Sequence, residues 1–469
     1  MDHPEAGTAM RSRGRGWLAL ALAALALFGA AATVRLGAAV PAAVEQGVAL
    51  SSAWLCPHGG GDGWLGTIAI ANPGDAPIQA RLVSYGARQP ASVGTIEVPA
   101  HGEALSDVPA TVRAASTLVE IFGGWAAVGW NVRAGGGEAG MGAEPCTPRA
   151  GDQWSVVDGV TSQDMHSSLV VMNPFAADAV IDVVLFLPDK PAVRPADWTD
   201  LRVPAGRSIS LDLKRALGES IVGVQVIATR GRIAVGSLAV RIGGGVRSAL
   251  AAPAYASRWI LPVVGGTGGG TLSLLVPGQL GIRFGATQLS EDSAPQTAGN
   301  LTVIRQGGAS TVSAPVTTSG ASAVIVQVIG EGVVGAGFRE AGPGLDDAAT
   351  GGVADPGPAW IVLPTALGGA AQPSLVLVNS GSEPVTATLS LLTEAGGATT
   401  QSVSVNVAAG RTASAPIAFL RRDPTASVLV RAEGDLVALG AGTSGPGQTG
   451  WYALALGVPV PTTAMPMVP

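Results

Sequence analysis

Short apolar segments rich in β-branched residues fill the chain from about residue 50 onward, and turn residues interrupt them at close intervals. In Ser402–Val407, Val403, Val405 and Val407 point one way while Ser402, Ser404 and Asn406 point the other. Period two marks a strand with one buried face. Elsewhere two apolar runs flank an abrupt break. TIAIANPGDAPIQARLV breaks at Asn72-Pro73-Gly74-Asp75, SLVVMNPFAADAVIDVVLF at Asn173-Pro174, and SLVLVNSGSEPVTATLSLL between Asn379 and Pro384. Proline cannot continue a paired strand, and Asn, Gly and Asp supply turn dihedrals, so each reads as a hairpin.

These hairpins recur. Trp54, Trp154, Trp259 and Trp360 open four copies about one hundred residues apart, over residues 50–150, 151–254, 255–355 and 356–462. Each copy continues with a hairpin, an alternating strand, a second hairpin and a short apolar piece ending near proline. The third copy keeps only Pro277-Gly278 of its first break and is the most diverged. About seven strands per copy, without an amphipathic stretch for a major helix, predict an all-β chain of four tandem immunoglobulin- or fibronectin-like sandwiches. The runner-up is a β-propeller with two blades per copy, ranked lower because the halves of a copy differ.

Ahead of the repeats, residues 1–16 are polar and carry Arg11, Arg13 and Arg15, and residues 17–34 are apolar throughout. About 18 helical residues span roughly 27 Å, enough for a transmembrane anchor. Arginines before the run place the tail in the cytoplasm and the rest outside. A cleaved signal peptide is the alternative, with small residues at Gly37-Ala38-Ala39; the protein would then be secreted. Cys56 and Cys146 lie near the two ends of copy one and predict a disulfide, in keeping with export.

Composition then narrows the function. Charged residues are 13% of the chain and net charge is −6, which argues against nucleic acid as a partner. The Gly330–Gly335 run spells G-x-G-x-x-G but a strand follows it, so a turn is expected and not a dinucleotide site. Asp346-Asp347 lie among Gly and Pro and read as a solvated loop. No nucleophile elbow or zinc pair occurs, and no catalytic residue, metal or cofactor is assigned. His58, His101 and His166 fall at predicted loops. Tryptophan stands out at 10 against 7 Phe and 3 Tyr. Trp64, Trp125 and Trp130 in copy one, with His58 and His101, are the candidate ligand face.

The Trp54-Leu55-Cys56-Pro57 opening, the Asn-Pro hairpins, the single span and the Ala/Gly/Val-rich composition resemble a family of actinobacterial membrane-anchored or secreted proteins known only as a domain of unknown function. The resemblance implies an envelope location and supplies no catalytic residues. The expected role is a non-catalytic envelope scaffold with a protein partner. A protein binding cell-wall glycan is the alternative, and an envelope hydrolase the third reading.

Overall fold

Every copy folds into eight strands divided between two sheets in one fixed order. The computed structural model describes residues 50–464, apart from 161–163, 189, 216–221, 254, 266–268, 278–281, 298–309, 319, 343–345, 368–370, 398–401 and 444–450. The strands of copy one are Leu50–Cys56, Leu65–Asn72, Ile78–Tyr85, Ala91–Val98, Gly102–Pro109, Ser116–Phe122, Ala127–Ala134 and Gly140–Pro145. One sheet runs first–sixth–third–fourth, and its sister runs fifth–second–seventh–eighth. The other copies keep both orders, with three modifications, one of them a short strand Val458–Pro459 added beside the first strand of copy four. In copy two the fourth strand is split, and in copy four the sixth and seventh are one continuous strand, Ser427–Thr443, shared by both sheets. The chain is thus nearly all β, with open sheets. The immunoglobulin arrangement of ABED against CFG is not this order, and blades of consecutive strands are not either.

The apolar run 17–34 lies outside the described residues, and among those described no helix is long and apolar enough to cross a membrane.

The repeated tryptophans are core, as their period requires. Trp54, Trp154, Trp259 and Trp360 sit on the first strands and are buried. Three of them donate their indole N–H to the carbonyl just before the seventh strand: Trp154 to Ile233 at 2.8 Å, Trp259 to Val334 at 2.7 Å and Trp360 to Leu436 at 2.8 Å. A buried polar group needs such a partner. Trp54 finds none among the described residues and instead meets the ring of Trp125 edge-on, centroids 6.1 Å apart.

The turns expected to close hairpins instead cross from one sheet to its sister, since the second strand pairs the fifth and seventh while the third pairs the fourth and sixth. Their asparagines are pins, which explains why they recur. Asn173 donates to the carbonyls of Ala177 and Val203, at 2.9 and 3.0 Å, and accepts from the Phe175 N–H. One amide thereby fastens the second–third turn to the end of the fourth strand. Asn72 and Asn379 do the same. Copy three has Val276 at this position, with no amide to offer.

The four copies close into a ring. The eighth strand of copy one packs against those of copies two and four, and the eighth strand of copy three against the same two. Each first–sixth–third–fourth sheet has its sister on one face and the next copy's fifth–second–seventh–eighth sheet on the other. Copy one's core accordingly includes Val170 and Leu238 of copy two and Ile361 and Leu363 of copy four. Coverage on both faces is why second and seventh strands, at the centre of their sheet, read as unbroken apolar runs. The third strand of copy one has only one face fully buried and alternates, with Ile78, Ala80 and Leu82 inward.

Close approach at the joints depends on glycine. A Cβ on Gly236 of copy two would lie 2.1 Å from the Pro57 carbonyl oxygen of copy one. Gly129 and Gly337 meet Leu363 of copy four and Val157 of copy two in the same way. The second residue of each fifth strand is polar and buried at a joint: Glu103, Ser208, Thr311 and Thr412. Ser208 bonds Ser116 of copy one at 2.7 Å, and Thr412 donates to the Ala321 carbonyl of copy three at 2.7 Å. Glu103 accepts from the N–H and hydroxyl of Ser427 in copy four, at 2.8 and 2.6 Å, where the ring closes.

Candidate functional site

The residues singled out in copy one do not share an exposed face. His58 is wholly buried; its ring contacts the Gly59 carbonyl at 2.7 Å and the Thr117 hydroxyl at 3.0 Å. Burial pushes its pKa down to about 4, so the ring stays neutral. Trp130 is buried and donates to Ser248 of copy two at 3.0 Å, making it part of a joint. Trp125 is half-buried against Trp54. Trp64 is buried, and its N–H reaches Glu138 at 3.0 Å. Cys56 and Cys146 are bonded, with Cα atoms 4.6 Å apart. They link the first strand to the segment after the eighth, beside the Leu55–Thr147 bridge. The other copies hold that contact by hydrogen bonds alone, at Ser155–Ala252, Ile260–Val353 and Trp360–Pro459.

His101 occupies a left-handed turn, φ 49°, where copies two and four place Gly206 and Gly410, each at φ 61°. The equivalence is direct, because each of the three N–H groups bonds the carbonyl of the first turn: Gly74, Phe175 or Gly381. A side chain in this region costs about 1 kcal/mol. The 2.8 Å contact of His101 with Asp75 is solvent-exposed and returns little. His101→Gly should therefore leave the urea midpoint unchanged or raise it slightly. A loss of about 1 kcal/mol or more would show that the His101–Asp75 pair outweighs the strain.

Two polar assemblies went unannounced in the sequence. The first lies where the eighth strands meet. Asp346 and Asp347 are buried there, 3% and 9% exposed, which corrects the expectation of a solvated loop. The Asp346 carboxylate accepts from the N–H of Val246 in copy two at 3.1 Å and of Tyr452 in copy four at 2.6 Å, joining three copies. Arg247, also buried, donates to Asp347 at 2.9 Å and lies 3.3 Å from Asp158. The Tyr452 hydroxyl donates to Glu340 at 3.0 Å. For Arg247 the missed signal was charge at a repeat position held elsewhere by small residues. The register places Arg247 level with Gly142, Ala348 and Ala453.

Burial raises three carboxyls in these regions. Glu103 is pushed up to about 8, despite the Ser427 bonds that oppose the shift. Asp346 is likewise pushed up to about 8 by burial, and Glu144 well above its usual range by burial and the nearby Asp158 charge. Between about pH 4 and 8 the folded chain holds protons that the unfolded chain has lost. Stability from these groups is therefore full below the unfolded pKa and is lost as pH rises to about 8. His58 acts oppositely below about pH 6.5, because only the unfolded ring charges there. Three raised carboxyls outweigh one histidine, so the thermal midpoint should be highest near about pH 4 to 5 and fall toward pH 8. Glu103→Gln keeps the acceptor and should flatten that fall. An unchanged slope in this variant would show that Glu103 is ionised in the fold.

The second assembly is a cleft of about 490 Å³ between copies one and two. Copy one supplies Arg113 and Glu138, which pair with each other. The Arg113 guanidinium also lies 5.2 Å over the Trp64 ring and donates to the Gly60 carbonyl at 2.9 Å. Copy two supplies His166 and Ser168 on its second strand, Ser210 and Asp212 on its fifth, and Arg215 just beyond. His166 therefore belongs to a strand, not to the loop expected for it.

The structure defines an all-β chain in which four copies of a two-sheet unit close into a ring. Residues 106–327 match the family of unknown function DUF5719. They run from the fifth strand of copy one to the sixth strand of copy three. No curated protein matches the chain. Among solved structures, trypsin-activated alpha-2-macroglobulin from Escherichia coli aligns with 9% identity and a TM-score of 0.11. The alignment covers 87% of this chain and 42% of that one, and at this score it carries no argument about fold or role.

Proposed function

We propose that the chain is a non-catalytic scaffold of the cell envelope, held outside the cytoplasmic membrane by residues 17–34, whose ring presents a fixed surface to a protein partner. The observation that carries this reading is the Cys56–Cys146 bond, since disulfides persist in oxidising compartments and are rare in the cytosol. The joints support it further. Buried hydrogen bonds and glycine contacts at all four joints fix the copies against one another, as a platform requires. Location is tested by Glu331→Cys at an exposed turn in intact cells: labelling by a membrane-impermeant maleimide is expected, and protection until lysis refutes it. The role is tested by recovering the native chain from membranes with cell-wall polymer as competitor. One stoichiometric protein, retained in the presence of polymer, is the expected result; recovery of polymer alone would overturn it.

A further inference from the structure

We propose that the cleft between copies one and two is a binding site for a neutral saccharide. The argument starts from the repeat itself. Pairing registers place His166, Ser168, Ser210 and Asp212 of copy two level with Leu65, Thr67, Leu105 and Asp107 of copy one. In copy one the groove along this edge is lined partly by Leu65, Val132, Met141 and Leu367, and Thr67 donates to Asp107 at 3.1 Å. In copy two both leucines are replaced by polar residues, and every side chain lining the cleft is polar. The Ser168, Ser210, His166 and Arg215 side chains make no hydrogen bond or ion pair with another described residue. Their donors and acceptors are open to the cleft.

The opposite wall is preorganised. Arg113 is fixed by Glu138, by the Gly60 carbonyl and by the face of Trp64, and Trp64 in turn holds Glu138. A ligand would meet this wall without ordering it, which lowers the entropic cost of binding. Two arginines face two carboxylates, so the fixed charge of the lining balances. A balanced mixture of donors and acceptors suits hydroxyl groups, which both donate and accept, better than it suits an ion. The cleft volume falls within the range of small-ligand sites, about 300–1,000 Å³.

The test is calorimetric titration of the full-length chain with cellobiose, maltose and N,N′-diacetylchitobiose, with inorganic phosphate and digalacturonate as ionic controls. At least one neutral disaccharide should bind more tightly than both ionic probes. Ser168→Ala and Asp212→Asn should each weaken it about tenfold, while Thr67→Ala in copy one leaves it unchanged. Ser168 is largely buried beneath the cleft while Asp212 and Thr67 are part-exposed, and matching thermal unfolding curves would exclude misfolding as the cause of any loss. Absence of binding by all three disaccharides, equal binding of phosphate or digalacturonate, or binding that survives both cleft substitutions would each overturn the proposal.

Discussion

Replacing Cys56 and Cys146 by serine, or reducing the bond between them, is expected to lower the free energy of unfolding by about 4–5 kcal/mol. The bond closes a loop of 90 residues, and in the chain-entropy model it acts by restricting the unfolded ensemble. Its position makes the effect sharper than for an isolated module. It fastens the first strand of copy one to the segment after the eighth, and that copy touches both of its ring neighbours. Urea unfolding with and without reductant measures the difference, and the serine variant should become insensitive to reductant. A shift below about 1 kcal/mol would mean that the bond does not restrict the unfolded chain as the chain-entropy model requires.

Arg247→Met is the second large effect, with an expected loss of about 3–5 kcal/mol. Removal of the guanidinium strands Asp158 and Asp347 in a buried region, and an uncompensated buried charge is what makes breaking such a pair costly. Arg241 and Arg339 also approach Asp347, at 3.6 and 3.9 Å, and partly replace the lost cation. The loss should thus fall toward the lower end, and adding Asp347→Asn should recover part of it. Strict additivity of the two substitutions would show that Arg247 and Asp347 are not coupled. Urea midpoints of the wild type, both single variants and the double variant provide the cycle.

What the sequence made legible was local. Turn chemistry at Asn72, Asn173 and Asn379 marked real turns, but the strands they join lie in different sheets, so the expected hairpins are crossings between sheets. The tryptophan period marked a core position. The cysteine spacing identified a real bond. Strand order was less accessible, because apolar alternation says which residues share a face but not which strand lies beside which. Ring closure was invisible for the same reason. Gly129, Gly236 and Gly337 are ordinary strand glycines until the end of another copy's first strand is placed against them. His101 was selected as a chemical group, although its backbone position is one that other copies fill with glycine. The residues where the eighth strands meet, and those of the cleft, were obscured by context. Asp346-Asp347 stand among loop-forming residues, and His166 looks like a polar loop residue when its strand partners are unknown. Aligning the copies by strand register, rather than by residue similarity, exposes both groups as departures from a shared pattern.

An open solenoid can gain or lose a unit, because each unit touches only its neighbours and the ends are free. Copy one here touches both copy two and copy four. Deleting a copy would leave two faces shaped for a missing partner, and an added copy would have no gap to enter. The number four is therefore a geometric constant of this architecture. Variation has to proceed within copies, at lining positions such as that shared by Leu65 and His166, and not through the count of copies.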